Sequence, residues 1–170
     1  AFPGMADRTI ILDGFSKSYA MTGWRLGYGI MPGELVPHIV KLAVNSVSCA
    51  ASFSQIAAVA ALDGPQDDVQ QMVAEFAQRR RLITDGLRAI PGINCPEPEG
   101  AFYAFPSIKG TGMSSGEFEE RAMSEAGVAL LAGSAFGEFG EGYVRLSYAN
   151  SQENIQKALE NLDRFVRSAT

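Results

Sequence analysis

Apolar positions change their spacing along this chain, and each change marks a different kind of element. Residues 9–12, TIIL, are a continuous run rich in β-branched side chains, the pattern of a short strand buried on both faces. LGYGIM at 26–31 reads as a second short strand, stopped by Pro32 and Gly33. From Glu34 to Leu62 the spacing turns helical, but the small and hydroxyl residues of SVSCAASFS at 46–54 interrupt it, which predicts two helices with a small-residue connection. After GPQD at 64–67, Val69, Met72, Val73, Phe76, Ile83 and Leu87 recur at helical intervals with charge on the opposite face. The helix they predict has about 20 residues, ends before Pro91 and Gly92, and at 1.5 Å per residue is roughly 30 Å long, enough to link two lobes.

The remainder alternates as a compact α/β layer does. AFYAF at 101–105 is a strand, and SSGEFEERAMSEAG is a helix in which Ser114 and Glu117 have capping-box spacing. VALL at 128–131 is a strand, GSAFGEFGEG a glycine-rich loop, and YVRLSY at 143–148 alternates like a half-buried strand. A final helix from about Ser151 to Arg167 gathers Ile155, Ala158, Leu159, Leu162 and Phe165 on one face. The opening, AFPGMADR, is loop-like and feeds directly into the buried-type strand, with nothing before it to cover that strand's faces; a piece of a longer protein is the expectation.

Composition narrows the function. With 170 residues and 46% apolar content the chain can bury a real core, in one large domain or one and a half. A net charge of -5 with only 14 Lys and Arg provides no broad basic field for nucleic acid or an anionic membrane, so any anion must be held locally. There is no apolar run of membrane-spanning length and residues 1–12 lack the order of a signal peptide, so the reading is a soluble, cytoplasmic protein. Cys49 and Cys95 suit neither a disulfide framework nor a metal site and are expected to be reduced, and His38, without acidic neighbours, is expected on the surface or in packing.

The chemistry concentrates at residues 14–29, GFSKSYAMTGWRLGYG. Lys17 stands in a turn just past a strand; lodged among Phe15, Tyr19, Met21 and Trp24 it would be partly desolvated, which favours the neutral amine that Schiff-base chemistry requires. The bland alternative is a solvated turn lysine. Arg25, flanked by Gly23 and Gly27, is expected to face either a structural carboxylate or a phosphate, whose oxygens the planar guanidinium can bind in pairs. The two glycines would clear space for that approach, and Ser16, Ser18 and Thr22 offer hydroxyls in the same turn.

This stretch resembles the cofactor-lysine signature of class I and II aminotransferases, the fold type I enzymes dependent on pyridoxal 5'-phosphate. Ser16, Lys17, Gly23, Arg25, Gly27 and Tyr28 match it in order and spacing. The resemblance implies that Lys17 bonds covalently to the cofactor and then carries a proton between the substrate's α-carbon and the cofactor. It implies that Arg25 holds the phosphate; Gly14 stands where many relatives have a serine, which leaves Ser16 the nearest hydroxyl candidate for it. Downstream, YVRLSYANSQENI resembles the family's C-terminal segment, so Arg145 is implied to bind the substrate's α-carboxylate, against the alternative of a strand-surface salt bridge. PEGAFYAF and ALLAGSAFG also look like family segments, with no catalytic role carried over.

The same resemblance implies an α/β fold: the end of a large-domain mixed sheet at 1–62, a linking helix at 63–92 and a small C-terminal α/β domain at 93–170. It also implies transfer of an amino group between an amino acid and a 2-oxo acid, in amino acid metabolism, by a homodimer. Same-fold β-lyases or decarboxylases, and an aminotransferase-like domain of a transcription regulator, use the same residues and stay open. Between Leu26 and Gln78 there is no arginine, which argues weakly against one route to aspartate recognition. Family members are more than twice as long, and the part before the lysine supplies an Asp for the pyridine nitrogen, a Tyr, an aromatic stacking partner and a phosphate loop. Asp7 and Asp13 lie too near Lys17 to be that Asp, so the piece by itself is expected to be inactive and to bind the cofactor weakly or not at all.

Overall fold

The structure, a computed structural model, describes residues 2–169. By its internal contacts the chain divides into two compact units, Ala1–Gln71 and Met72–Thr170.

The first unit opens with strand β1 (Ile11–Gly14), a single helical turn α1 (Phe15–Ser18) and strand β2 (Gly27–Ile30). The two strands pair antiparallel, with Asp13 opposite Tyr28 and Gly14 opposite Gly27. β1 sits two residues later than its apolar run, because Thr9 is tied back to the Met5 carbonyl (2.7 Å) while pairing is set by the register with β2. The strand is also not buried on both faces. Leu12 is 79% exposed and Ile11 50%, and among the described residues only β2 pairs with the strand. Helices α2 (Val36–Ser46) and α3 (Ser52–Asp63) come next, separated where the small residues interrupt the pattern. α2 buries no residue, and the unit's buried cluster consists of Phe15, Met21 and Ala58 with partly buried neighbours such as Tyr19 and Leu26.

Helix α4 (Asp67–Ala89) is 23 residues long, begins in the first unit and continues into the second. Asp67 and Asp68 in its first turn and Arg88 in its last complement the helix dipole. The second unit adds strand β3 (Tyr103–Ala104), helix α5 (Ser115–Ala126), strands β4 (Leu131–Ala132) and β5 (Val144–Ser147), and helix α6 (Gln152–Ala169). β5 is central, antiparallel to β3 on one side and β4 on the other. The alternation read from YVRLSY holds: Val144, Leu146 and Tyr148 are buried, Arg145 is half-buried and Ser147 exposed. Only half of the predicted capping box forms. Ser114 Oγ accepts from the Glu117 amide (3.2 Å), while the Glu117 carboxylate turns to Arg121 (3.3 Å).

Under this sheet lies one continuous core, in which Leu87 of α4, Ile108, Phe118 of α5, Val144, and Leu162 and Val166 of α6 are essentially inaccessible to solvent. Each such side chain contributes about 1.5–3 kcal/mol of transfer free energy relative to exposure. Cys95 joins this core, where burial pushes its thiol pKa up; Cys49 is exposed, and both are free thiols. His38 is exposed on α2. Among the described residues no helix is long and apolar enough to cross a membrane.

Candidate active site

Lys17 and Arg25 both lie in the connection between β1 and β2, as the bracketing of the two strands predicts. In α1, successive side chains are turned by about 100°. Phe15 is buried at 4% exposure, so Lys17, two positions on, faces outward and is exposed. Ser16 between them is half-buried. Partial burial of Lys17 is therefore not what the structure shows: the residue is exposed, while Phe15 and Met21 are buried in one cluster with Ala58.

The backbone freedom of the stretch is not where its glycines are. Gly14, Gly23, Gly27 and Gly29 all avoid the left-handed region, and the residues that enter it are Ala20 (φ 53°) and Arg25 (φ 52°, ψ 51°). For an arginine that conformation costs about 1–2 kcal/mol. In it, the Arg25 Nη1 donates to the Thr22 carbonyl at 2.9 Å, and no carboxylate takes the place of a partner among the described residues. Gly27 clears space for β1 rather than for a ligand: a Cβ there would stand 2.9 Å from the Asp13 carbonyl oxygen. Gly23 faces open space.

A cavity of about 610 Å³ opens beside Arg25, walled by Gly23, Trp24, Cys49, Phe53 and Ser54 among others. Ser54, almost fully buried, donates to the Trp24 carbonyl (3.2 Å) and so ties α3 to the turn that carries Arg25. Beside the turn, Tyr28 donates to Asp13 (3.3 Å), and the Asp13 charge raises the Tyr28 pKa. A second cavity, about 400 Å³ against Gly127, Ser147, Asn150 and Asn154, contains neither Lys17, Arg25 nor Arg145.

In the second unit, Arg145 rides on the central strand β5, directly opposite Leu131 of β4. Its guanidinium carbon lies 4.4 Å from the Tyr103 ring centroid and 4.4 Å from that of Phe136, within the range of strong cation–π contact. A salt bridge, the alternative for a strand arginine, is not what holds it: among the described residues the Arg145 side chain makes neither an ion pair nor a hydrogen bond. Neither ring was singled out in the sequence. Tyr103 is legible only once β3 is known to pair with β5 so that Tyr103 faces Ser147, one diagonal step from Arg145. Phe136 comes from the loop after β4, where the Gly133 and Gly140 backbones touch so closely that a Cβ at either would overlap the other.

The chain belongs to the aminotransferase class I and II family, whose model matches residues 2–162. It is 42% identical over 160 residues to the aspartate aminotransferase of Pyrococcus horikoshii, covering 93% of this chain and 41% of that protein. It is equally 42% identical to aromatic-amino-acid aminotransferase 2 of Thermococcus litoralis, covering 96% of this chain and 42% of that one. Among solved structures, the aromatic aminotransferase of Pyrococcus horikoshii superposes with a TM-score of 0.94 at 41% identity, over 98% of this chain and 45% of that one. The fold is thus that of a fold type I fragment. The chain spans less than half the length of the relatives it matches.

Proposed function

We propose that the complete protein is a pyridoxal 5'-phosphate-dependent aminotransferase that moves an amino group between an α-amino acid and a 2-oxo acid. This chain is its C-terminal portion: residues 1–62 complete the cofactor domain, 63–92 link, and 93–170 form the small domain. The observation that carries the reading is the β1–β2 connection, which holds an outward-facing amine at Lys17 and a guanidinium at Arg25 beside an open cavity. The donor set fits the cofactor: a primary amine for its aldehyde, and for its phosphate a guanidinium with a half-buried hydroxyl, Ser16, in the same turn. The relatives' names favour transamination over lyase, decarboxylase or regulatory roles. Those names include both aspartate and aromatic amino acids at equal identity, so the substrate class proposed is the α-amino acid.

When bound, the cofactor supplies an aldehyde that condenses with amines and a ring that draws electrons from the substrate's α-carbon. The chain's own contribution is positional and protonic. Arg25 and Ser16 would hold the phosphate, and Lys17 Nζ would take the α-proton and return it. Arg145 holds the α-carboxylate and thereby orients the α-carbon bond that breaks. The protein acts in the cytoplasm as a homodimer, and the groups that complete the site come from the part of the polypeptide outside this chain.

In the full-length protein, wild type mixed with pyridoxal 5'-phosphate forms an absorbance band near the visible edge that Lys17→Ala lacks. Amino-group transfer in Lys17→Ala falls by roughly 10²–10⁴-fold or more, the range for loss of a general acid–base group. An unchanged band in Lys17→Ala overturns the assignment of the lysine, and a screen of amino donors identifies the substrate.

A further inference from the structure

We propose that Tyr103 and Phe136 are positioning residues that hold the Arg145 guanidinium between them for carboxylate recognition; this rests on Arg145 being the residue that binds the α-carboxylate. Arg145 is on the central strand of three, and the two rings reach it from opposite neighbours, Tyr103 from β3 and Phe136 from the turn after β4. Both ring centroids are 4.4 Å from the guanidinium carbon. Rings bind a guanidinium through its face and leave its N–H edge available, whereas a carboxylate partner would occupy that edge. An arginine held only by rings keeps its paired donors for an incoming ligand while losing the rotamer freedom that would otherwise be lost on binding.

The rings are themselves held. Tyr103 lies against Phe102 with centroids 4.6 Å apart, and the Tyr148 hydroxyl donates to the Ala101 carbonyl at 2.9 Å just upstream. Phe136 meets Phe105 edge-on (6.1 Å), Phe105 stacks on Tyr143 (5.6 Å, 12°), and Lys109 lies over Tyr143 at 5.0 Å. A row of rings thus runs on from both sides of Arg145 within one unit, so the position of the guanidinium is set by packing rather than by a counter-charge.

The test uses the full-length protein and two probes of one shape, 4-methylpentanoate and its neutral amide, with affinities measured by titration calorimetry. Phe136→Leu weakens carboxylate binding by about tenfold, the fold-change for loss of a partly desolvated cation–π contact, and leaves the amide within about twofold. Tyr103→Leu does the same, while Tyr103→Phe, which keeps the ring, restores wild-type affinity to within about twofold. In turnover the loss falls on KM, with kcat within about threefold, and the cofactor absorbance is retained. Carboxylate binding unchanged in both leucine variants overturns the proposal, and if one variant fails to fold, the other ring decides. Arg145→Leu separates the two readings. If it abolishes carboxylate preference while the ring variants do not, only the clamp is wrong; if it changes nothing, the assignment of Arg145 and the clamp fall together.

Discussion

Helices α2 and α6 are both amphipathic in sequence, yet α6 buries Ile155, Leu159, Leu162, Phe165 and Val166 while α2 buries nothing and leaves Val40, Leu42 and Val44 more than half exposed. The same contrast separates the two units. The unit that carries Lys17 and Arg25 has a buried cluster of three residues, whereas the unit that carries Arg145 has a continuous core drawn from α4, α5, α6 and strands β3 and β5. Amphipathic spacing specifies which face a helix would bury; burial itself requires another element on that face. Candidate chemistry thus falls in both units, while the buried core is concentrated in the second.

The largest expected effect tests that inequality directly. Phe118→Ala, at a residue 1% exposed and packed edge-on against Phe165, destabilises the second unit by about 3–5 kcal/mol. Phe15→Ala, in the three-residue cluster, removes the same atoms from a site with far fewer neighbours and costs about half as much or less. Denaturant unfolding followed by amide exchange in each unit measures both, and equal losses would remove the contrast. Next in size is Ser115→Ala. The Ser115 hydroxyl is fully buried and accepts from the Gly142 and Tyr143 amides at 2.8 and 3.2 Å; its loss leaves the buried Gly142 N–H without that acceptor, while the Tyr143 N–H keeps the Gly140 carbonyl at 3.1 Å. About 1–3 kcal/mol is expected, read from the denaturation midpoint. A change under a few tenths would mean that the loop is not pinned there.

Smallest is a pH effect at the start of the second unit. Glu75 accepts from Gln152 and from Arg79 (2.8 Å), and these bonds hold its pKa below the ordinary glutamate value. A folded-state pKa lower than the unfolded one contributes stability above the unfolded value, about 4.3, and loses it as pH falls through the folded one. Wild type is thus slightly more stable than Glu75→Gln at pH 7, and the difference closes below pH ~4. Urea midpoints at several pH values measure it; a gap that persists unchanged into acid contradicts the assignment.

Much of the second unit was legible in the residue order. The α4, α5 and α6 ranges agree with apolar periodicity, and the face named for α6 is the face that is buried, because a helix is made from near neighbours in sequence. Strands were less legible: AFYAF and VALL shrink to Tyr103–Ala104 and Leu131–Ala132, since pairing depends on partners far away in the chain. At the candidate site, GFSKSYAMTGWRLGYG located Lys17 and Arg25 in one connection, and YVRLSY located Arg145 on an alternating strand. It did not reveal that Arg25 and Ala20, rather than the glycines, take the left-handed backbone, or that Gly27 is needed for the approach of β1.

Sequence alone was thus enough to name the family, place the helices and pick out three cations, because motif spacing, capping and helical periodicity are local properties of a chain. Whether an apolar face is covered, which way Lys17 points and what surrounds Arg145 depended on the folded arrangement. Residues 103, 136 and 145 meet only when β3, β5 and the turn after β4 are laid side by side, and contacts between strands far apart in the chain leave no periodic trace in the sequence.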